Sequence, residues 1–291
     1  MHTDLIPSPS YRGKVRDVYD LGDKLLMVAT DRISAFDVVF SEPVPDKGKI
    51  LTRVSNLWFS YFQSYPNHLV ATEFARLPEP FARDLNFSER SVLVKKAKRV
   101  DFECVVRGYL TGSAWKEYKT HSTIAHTPYP KGLLESQKFE TPIFTPARKN
   151  DVGHDENVSE DTMEKEVGSE LFQKLKSISI ALYSEAHKRM ETAGILLCDT
   201  KFEFGILDGE PILIDEILTP DSSRYWDKST YVLGKTPESY DKQILRNWLE
   251  STTWDKNPPP PKLPESLIQE LHKKYLELEE KIKLCLSQKS T

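Results

Sequence analysis

The segment G-I-L-L-C-D-T-K-F-E-F-G-I-L-D-G-E-P-I-L-I-D-E-I-L-T-P-D-S-S-R, residues 194–224, carries the strongest structural signals in the chain. Its apolar run at 195–198 predicts a buried strand. Asp208-Gly209 stands between two further apolar runs, which is a strong signal for a β-hairpin. The charged side chains that fall among these strands are Asp199, Lys201, Glu203, Asp215 and Glu216.

Carboxylates at the ends of buried strands need a cation or hydrogen-bond donors to offset their loss of water. A divalent metal ion together with a phosphate group would satisfy these charges, and this is our functional hypothesis for the segment. The alternative is an ordinary hairpin with carboxylates at its solvated ends. The length of the hairpin loop bears on the choice between a metal site and an ordinary hairpin. Glu203 and Asp215 share one face of the hairpin only if the loop has an odd number of residues or a bulge. Asp-Gly fits two-residue and three-residue loops alike.

Composition narrows the class of protein. The chain has 291 residues, 38% hydrophobic and 29% charged, which suffices for one large domain or two lobes. A net charge of −4 argues against a nucleic-acid partner held by a basic surface. Cys104, Cys198 and Cys285 lack zinc or disulfide spacing, which favours a reducing compartment. Because neither a secretory signal nor a membrane-length apolar run stands out, we expect a cytoplasmic protein without a membrane partner.

Hydrophobic periodicity and turn residues predict the other elements. They are a hairpin over 11–30, a helix over 50–61, two strands within 91–108 that join near Val100-Asp101, a helix from Ser159 that ends at the capping glycine Gly194, and helices at 239–249 and 265–286. The polar segment 119–158 shows no periodic element. A loop this long in a compact domain is usually functional or disordered.

Two short patterns suggest contacts to phosphate. Gly13-Lys14, with Arg16 two residues on, combines close backbone approach with point charges, although a glycine bulge in an edge strand is the alternative. Ser113 is a candidate N-cap at a helix start that could bind phosphate, with Arg107 as a bidentate partner. A simple capped helix is the alternative there.

Seven segments, in order along nearly the whole chain, resemble one family: SAICAR synthetase (phosphoribosylaminoimidazole-succinocarboxamide synthase) of purine biosynthesis. They are G-K-V-R-D-V-Y (13–19), D-R-I-S-A-F-D (31–37), P-D-K-G (45–48), V-R-G-Y-L-T-G-S-A-W (106–115), T-P-A-R-K with G-H-D-E-N (145–157), C-D-T-K-F-E-F-G (198–205) and D-E-I-L-T-P-D-S-S-R-Y-W (215–226). The Pro-rich segment and last helix resemble the longer stand-alone fungal-type form. Arg148 departs from the small polar residue common in the family loop.

The resemblance implies an activity and a fold. ATP would phosphorylate the carboxylate of carboxyaminoimidazole ribonucleotide (CAIR), and the amine of L-aspartate would then displace phosphate. The implied fold is α+β in two lobes: residues 1–100 with an antiparallel sheet, and residues 101–291 as an ATP-grasp-like lobe. The implied cofactors are ATP and Mg²⁺, and a monomer is favoured, with a dimer as the alternative.

The resemblance also assigns residues to roles. Those implied for ATP are Gly13, Lys14, Arg16 and Glu103, with adenine held by backbone within 96–106; those for CAIR are Arg107, Ser113, Asp221 and Arg224. Asp199 and Lys201 are implied at the phosphoryl-transfer position, Glu203 and Asp215 at magnesium, and Lys149, His154 and Asp155 in a loop that closes over substrate. A shared magnesium ion further predicts an odd or bulged hairpin loop.

Two other classes of protein remain as alternatives. A kinase is the first, because D-x-K-x-E followed by a second aspartate is similar to a kinase site; the absence of H-R-D and D-F-G speaks against it. The second is a nucleotide-binding module without catalytic activity. Omission of single substrates in a turnover assay separates all three.

Overall fold

Two large antiparallel sheets and six α-helices organise the residues that this computed structural model describes, 6–150 and 155–287. The strands are β1 (Tyr11–Arg12), β2 (Arg16–Asp20), β3 (Lys24–Ala29), β4 (Ser34–Ala35), β5 (Val38–Val39), β6 (Leu69–Ala71), β7 (Ser91–Lys95), β8 (Lys98–Tyr109), β9 (Thr123–Ile124), β10 (Thr127–Pro128), β11 (Lys138–Phe144), β12 (Ala147–Arg148), β13 (Glu156–Asn157), β14 (Ile195–Leu207), β15 (Glu210–Ile214) and β16 (Ser223–Asp227). The helices are α1 (Lys47–Tyr61), α2 (Gly112–His121), α3 (Glu160–Val167), α4 (Ser169–Thr192), α5 (Gln243–Glu250) and α6 (Glu265–Ser287). Short 3₁₀ turns lie at Phe74–Arg76, Phe81–Arg83, Leu85–Phe87 and Lys228–Thr230.

The first sheet has the strand order β1-β2-β3-β7-β6. The second has the order β13-β12-β8-β14-β15, with β11 also paired to β8 and β16 to β14. All of these strands pair antiparallel. Helix α1 packs on the first sheet and α4 on the second. The α+β class expected from the resemblance is confirmed.

The second sheet separates an apolar face from a charged one. Side chains alternate along β8 and β14, and one set joins the main core with α1, α4 and α6. That core includes Cys104, Val106, Phe202, Phe204, Trp58, Leu175 and Leu278. The opposite face of β14 carries Asp199, Lys201 and Glu203, so the core positions the charged residues rigidly.

The predicted hairpin forms, but its loop differs from the prediction. Leu207 pairs with Glu210, so the loop is Asp208-Gly209 alone, and both residues have the positive φ (54° and 85°) of a type I′ turn. Glu203 lies opposite Ile214 in a regular register. The expectation of an odd or bulged loop was therefore wrong, because strand alternation alone would place residue 215 on the face opposite Glu203.

Three other predictions of secondary structure were wrong. The strands within 91–108 join at Lys96-Ala97, where the chain passes from the first sheet to the second, and not near Val100-Asp101. The predicted helix from Ser159 is two helices, because Gly168 (φ 85°) interrupts it. The segment 119–158 contains β9 to β13 instead of a structureless loop. The division into 1–100 and 101–291 stays a prediction.

The predicted start at Ser159, the predicted end at Gly194 and the predicted last helix are confirmed. Ser159 caps α3 by accepting from the Thr162 amide, and Gly194 follows α4 with φ 74°. The last helix, α6, packs against α1, and its Glu279 accepts two hydrogen bonds from Arg53 at 2.6 and 2.8 Å. In the parts of the chain described, we find no helix that is long and apolar enough to cross a membrane.

Candidate active site

A row of charged side chains crosses the second sheet. Asp199, Lys201 and Glu203 alternate along β14 and therefore share a face. The neighbouring β8 places Arg107 directly opposite Asp199, and Glu103 directly opposite Glu203. Spacing along one strand and register between two strands thus bring five predicted site residues together.

Asp199 lies between two arginines, and we call Asp199, Arg107 and Arg224 the Asp199 clamp. Arg107 Nη1 donates to Asp199 Oδ2 at 2.8 Å, and Arg224 on β16 donates to the same oxygen. Arg107 also donates to the hydroxyls of Thr145 at 2.9 Å and Ser113 at 3.2 Å. The clamp has two positive charges and one negative charge, so it favours a further anion.

Burial acts differently on the two guanidinium groups. Burial lowers the pKa of Arg107 despite the nearby Asp199 carboxylate. Burial also opposes the charged form of Arg224, but Asp199 and Asp241 outweigh it and raise the pKa of Arg224. Both groups are cations at neutral pH, because arginine keeps its proton in proteins.

A pocket of about 290 Å³, the acceptor pocket, opens beside the clamp. Its walls include Arg224, Arg246, Lys116, Ser113, Phe36 and Trp115. The start of α2 also forms part of it: Gly112 has φ 61°, and a Cβ there would lie 2.4 Å from Arg224 Nη2. Ser113 is the second residue of α2, so the predicted N-cap was wrong; Thr111 precedes the helix.

Two lysines and two glutamates form the other end of the charged row, and we call Lys149, Lys201, Glu103 and Glu203 the lysine–glutamate group. Lys201 Nζ lies 3.0 Å from Glu103 Oε1 and also contacts Glu203. Lys149 Nζ lies 2.8 Å from Glu203 Oε1 and 3.7 Å from Glu103 Oε1. The opposite charges therefore hold one another in a fixed arrangement.

The pKa shifts in this group follow from burial and pairing. Burial raises the pKa of Glu103, outweighing the attraction of Lys201 and Lys149. Burial alone would raise the pKa of Glu203 too, but the two lysines outweigh it and hold that pKa well below its usual value. Conversely, Glu203 and Glu103 overcome the effect of burial on Lys201 and raise its pKa. Lys201 is thus a stable cation.

The predicted substrate loop begins and ends beside this group. The Lys149 amide donates to the Asp101 carbonyl at 3.0 Å, and the Asn150 amide donates to Asp155 Oδ1 at 3.1 Å. His154 lies outside the described residues. Its predicted role, like those of Lys149 and Asp155, stays a prediction.

The Gly13-Lys14 turn connects β1 and β2. The Gly13 amide donates to the Arg16 carbonyl at 2.8 Å. Arg32 donates to the carbonyls of Gly13 and Lys14, both at 3.1 Å, and so fixes the turn. Lys14 pairs with Asp37 and is half-exposed.

Arg16 joins the first sheet to the end of the hairpin. It pairs with Asp215 and, at 2.8 Å, with Glu216. Asp215 follows β15 with φ 65°, so the turn sets its direction rather than strand alternation. The predicted ATP contact at Arg16 and the predicted metal ligand Asp215 are therefore neighbours.

Asp221 lies in a separate, buried cluster. Its Oδ2 is 2.7 Å from Lys47 Nζ and 3.0 Å from Lys242 Nζ, while Tyr275 donates to Oδ1 at 3.2 Å. We call these four residues the sealed cluster. Three partners already occupy the Asp221 carboxylate. The predicted contact between Asp221 and CAIR stays a prediction.

Comparisons with known proteins show which family the chain belongs to. A profile of the SAICAR synthetase family matches residues 9–261. A relative from Leptospira interrogans, named phosphoribosylaminoimidazole-succinocarboxamide synthase, is 59% identical over 283 residues, 97% of this chain and 99% of its own. The chain belongs to the SAICAR synthetase family. It is accordingly an ATP-dependent carbon–nitrogen ligase of purine biosynthesis.

Solved SAICAR synthetase structures share the fold. The enzyme from Saccharomyces cerevisiae, in complex with SAICAR, is 41% identical, with a TM-score of 0.86 over 96% of each chain. A SAICAR synthetase in complex with ADP is 24% identical, with a TM-score of 0.68 over 94% of this chain and 96% of the other. The latter likeness supports the fold alone.

Sequence reasoning missed several residues that line the acceptor pocket or support the Gly13-Lys14 turn. Arg246 on α5 reaches the acceptor pocket, as does Gln243 one turn earlier on the same helix. Their i, i+3 spacing was the available signal. Arg32, which fixes the Gly13-Lys14 turn, and Phe36 both lie in the segment D-R-I-S-A-F-D, but the resemblance gave neither residue a role.

The carboxylates do not form a large metal cluster. Within the described residues, no group of three or more His, Cys, Asp or Glu side chains could hold a metal ion. Glu203 has Glu103 as its cross-strand partner, whereas Asp215 is paired with Arg16. The structure thus brings Glu103 and Glu203 together on one face of the sheet.

Proposed function

We propose that the Asp199 clamp, the acceptor pocket and the lysine–glutamate group carry out the ligase reaction of this SAICAR synthetase. The reaction joins L-aspartate to the carboxylate of CAIR through an acyl phosphate, giving SAICAR, ADP and phosphate. The observation that carries the proposal is Asp199, which holds Arg107 and Arg224 beside a pocket that also contains Arg246.

CAIR binds in the acceptor pocket in this proposal. Its phosphate is a dianion, and the pocket offers Arg224, Arg246 and Lys116. The first amides of α2 add donors, because a helix N-terminus favours anions. The clamp lies between this pocket and Lys201, so the CAIR carboxylate would extend along the charged row toward the lysine.

ATP binds at the opposite end of the row. The Gly13-Lys14 turn and Arg16 supply contacts for its phosphates, and backbone within 96–106 holds adenine. Arg32 supports this proposal, because it orders the carbonyls of the turn before substrate arrives. The ammonium of Lys14 is exposed enough to move to a phosphate.

The donor set also fits Mg²⁺. This ion commonly takes one or two protein carboxylates and completes its shell with water and substrate phosphates, so a three-carboxylate cluster is unnecessary. Glu203 and Asp215 are the proposed ligands, and Glu103 is the nearest second carboxylate to Glu203. Bound magnesium would neutralise phosphate charge.

The chemical steps place distinct demands on the chain. A CAIR carboxylate oxygen attacks the γ-phosphorus of ATP, and ADP leaves. The neutral amine of aspartate then attacks the carbonyl carbon, the bond to phosphate breaks, and the proton lost by the nitrogen passes to the released phosphate. Lys201 stabilises negative charge on the transferring phosphoryl group, since Glu103 and Glu203 fix its ammonium. Asp199 orients the two arginines and so holds CAIR in line.

We further propose a cytoplasmic monomer. Cys104, Cys198 and Cys285 are free and buried, in keeping with a reducing compartment. A net charge of −4 supports the expectation of no nucleic-acid partner. Light scattering would give the mass of the particle and would expose a dimer directly.

An ADP-release assay with each substrate omitted in turn tests the function. We expect steady release of ADP and phosphate only when ATP, CAIR and L-aspartate are all present. A kinase would give a phosphorylated product and steady ADP without aspartate. A binding module would release none. Either result would refute the ligase mechanism.

A further inference from the structure

Phe36 and Asp37 form an unusually demanding turn between β4 and β5. Ala35 pairs with Val38, so these two residues are the whole loop. Their φ values are 50° and 63°. A two-residue loop of this kind favours glycine or asparagine, and a bulky residue such as phenylalanine disfavours positive φ. The surrounding structure must therefore hold the turn.

The C-terminal part of the chain supplies that support. Trp254 packs on both Phe36 and Phe40, with ring centroids 6.4 and 5.8 Å apart. Lys256 Nζ lies 4.4 Å from the Phe36 ring centroid, within cation–π range. The turn thus rests on the segment that follows α5. Strained turns that persist through such support often serve function.

The two side chains of the turn reach different parts of the site. Phe36 lines the acceptor pocket, where Trp115 is the other aromatic wall among charged side chains. Asp37 pairs with Lys14 of the Gly13-Lys14 turn, the proposed contact for the phosphates of ATP. One two-residue loop therefore touches both substrate regions.

We infer that Phe36 packs against the heteroaromatic ring of the acceptor nucleotide, while Asp37 positions Lys14 for the phosphates of ATP. The inference rests on the proposed function. A charged pocket can hold the acceptor's phosphate and carboxylate, but its ring needs an apolar surface, and an aromatic side chain provides one. Asp37 is a positioning residue, because it acts through Lys14.

Binding measurements on single variants test this division. Phe36→Ala should weaken CAIR binding about tenfold, the order expected when one stacked ring is lost, and change ATP binding less than about twofold. Asp37→Asn tolerates positive φ and removes only the charge; it should weaken ATP binding about threefold, the scale of an exposed ion pair, and leave CAIR binding unchanged. Titration calorimetry with each ligand alone gives both dissociation constants.

Controls separate binding from folding. Val39→Ala, at an exposed position of β5, should change neither constant, and Phe36→Tyr should retain CAIR binding. If Phe36→Ala unfolds at a much lower temperature than the wild type, Phe36→Leu replaces it, because leucine keeps apolar packing on Trp254. Phe36→Leu should still weaken CAIR binding severalfold.

The outcomes are distinguishable. If Phe36 and Asp37 variants change both constants together, or change neither, the inference is overturned while the proposed function stands. Tighter ATP binding in Asp37→Asn would likewise overturn it. If the wild-type protein binds no CAIR, the proposed function fails and the inference fails with it.

Discussion

Asp199 and Asp221 are each a buried carboxylate between two cations, yet their surroundings differ. The side chain of Asp199 is 6% exposed and faces Arg107 and Arg224, and Arg224 lines the acceptor pocket. That of Asp221 is 3% exposed and faces Lys47 and Lys242. Each group carries one net positive charge, so charge count does not distinguish them.

The difference lies in where the remaining donors point. Guanidinium groups carry several donors in a planar fork, so Arg224 can hold Asp199 and still line the acceptor pocket, while Arg107 also donates to Thr145 and Ser113. The lysines of the sealed cluster converge on one carboxylate oxygen and join the start of α1 to the start of α5. One arrangement therefore suits binding, and the other suits assembly of the fold.

Asp221→Asn should have the largest effect on stability. The substitution leaves Lys47 and Lys242 buried without their carboxylate, and removal of one partner from a buried pair costs about 3–5 kcal/mol. Urea unfolding measures this loss, and Asp23→Asn, at a side chain 80% exposed, should stay within about 0.5 kcal/mol of wild type. A loss below about 1 kcal/mol would show that water or other groups reach the cluster.

Asp199→Asn should act on turnover more than on stability. Without the carboxylate the two arginines lose their common anchor, and we expect kcat/KM to fall at least about 100-fold, the size found for lost electrostatic stabilisers. The free energy of unfolding should fall less than in Asp221→Asn, because Arg224 borders a pocket. Initial rates and urea unfolding on the same samples check both points. The reverse ranking would remove the distinction drawn between the two aspartates.

Local signals were sufficient for part of this structure. Asp208-Gly209 predicted its hairpin because a two-residue turn depends on adjacent residues. Residues Asp199, Lys201 and Glu203 were predicted to act together, and their alternation on one strand explains why. The roles themselves came from the family resemblance and not from spacing.

Nonlocal features could not be predicted in the same way. The pairing of Arg107 and Arg224 with Asp199 depends on the register of three strands that are far apart in sequence. Arg246 enters the pocket only because α5 packs where it does. Strand β11 was missed because it pairs with distant β8 and contains a proline. Strand alternation could not predict the direction of Asp215, because a positive φ at this residue sets it.

The sealed cluster and a third buried group, His68, should affect the free energy of unfolding over different pH ranges. Lys242 and Lys47 outweigh burial and hold the pKa of Asp221 below its usual value, so its stabilising contribution persists until the pH falls below about 4. Burial lowers the pKa of His68 to about 3, helped by Arg16 and Lys95. The unfolded chain therefore binds a proton at this position as the pH falls below about 6.5, while the folded chain does not.

This difference in proton uptake makes the folded state less stable as the pH falls. For His68 the loss between pH 7 and pH 5 is about 2 kcal/mol. His68→Phe should remove that part of the pH dependence in urea unfolding at pH 7, 6 and 5, because a neutral ring can pack beside Phe59. Asp221→Asn should keep the wild-type slope over the same range, since Asp221 titrates at lower pH. An unchanged slope in His68→Phe would mean that His68 takes up its proton in the folded protein.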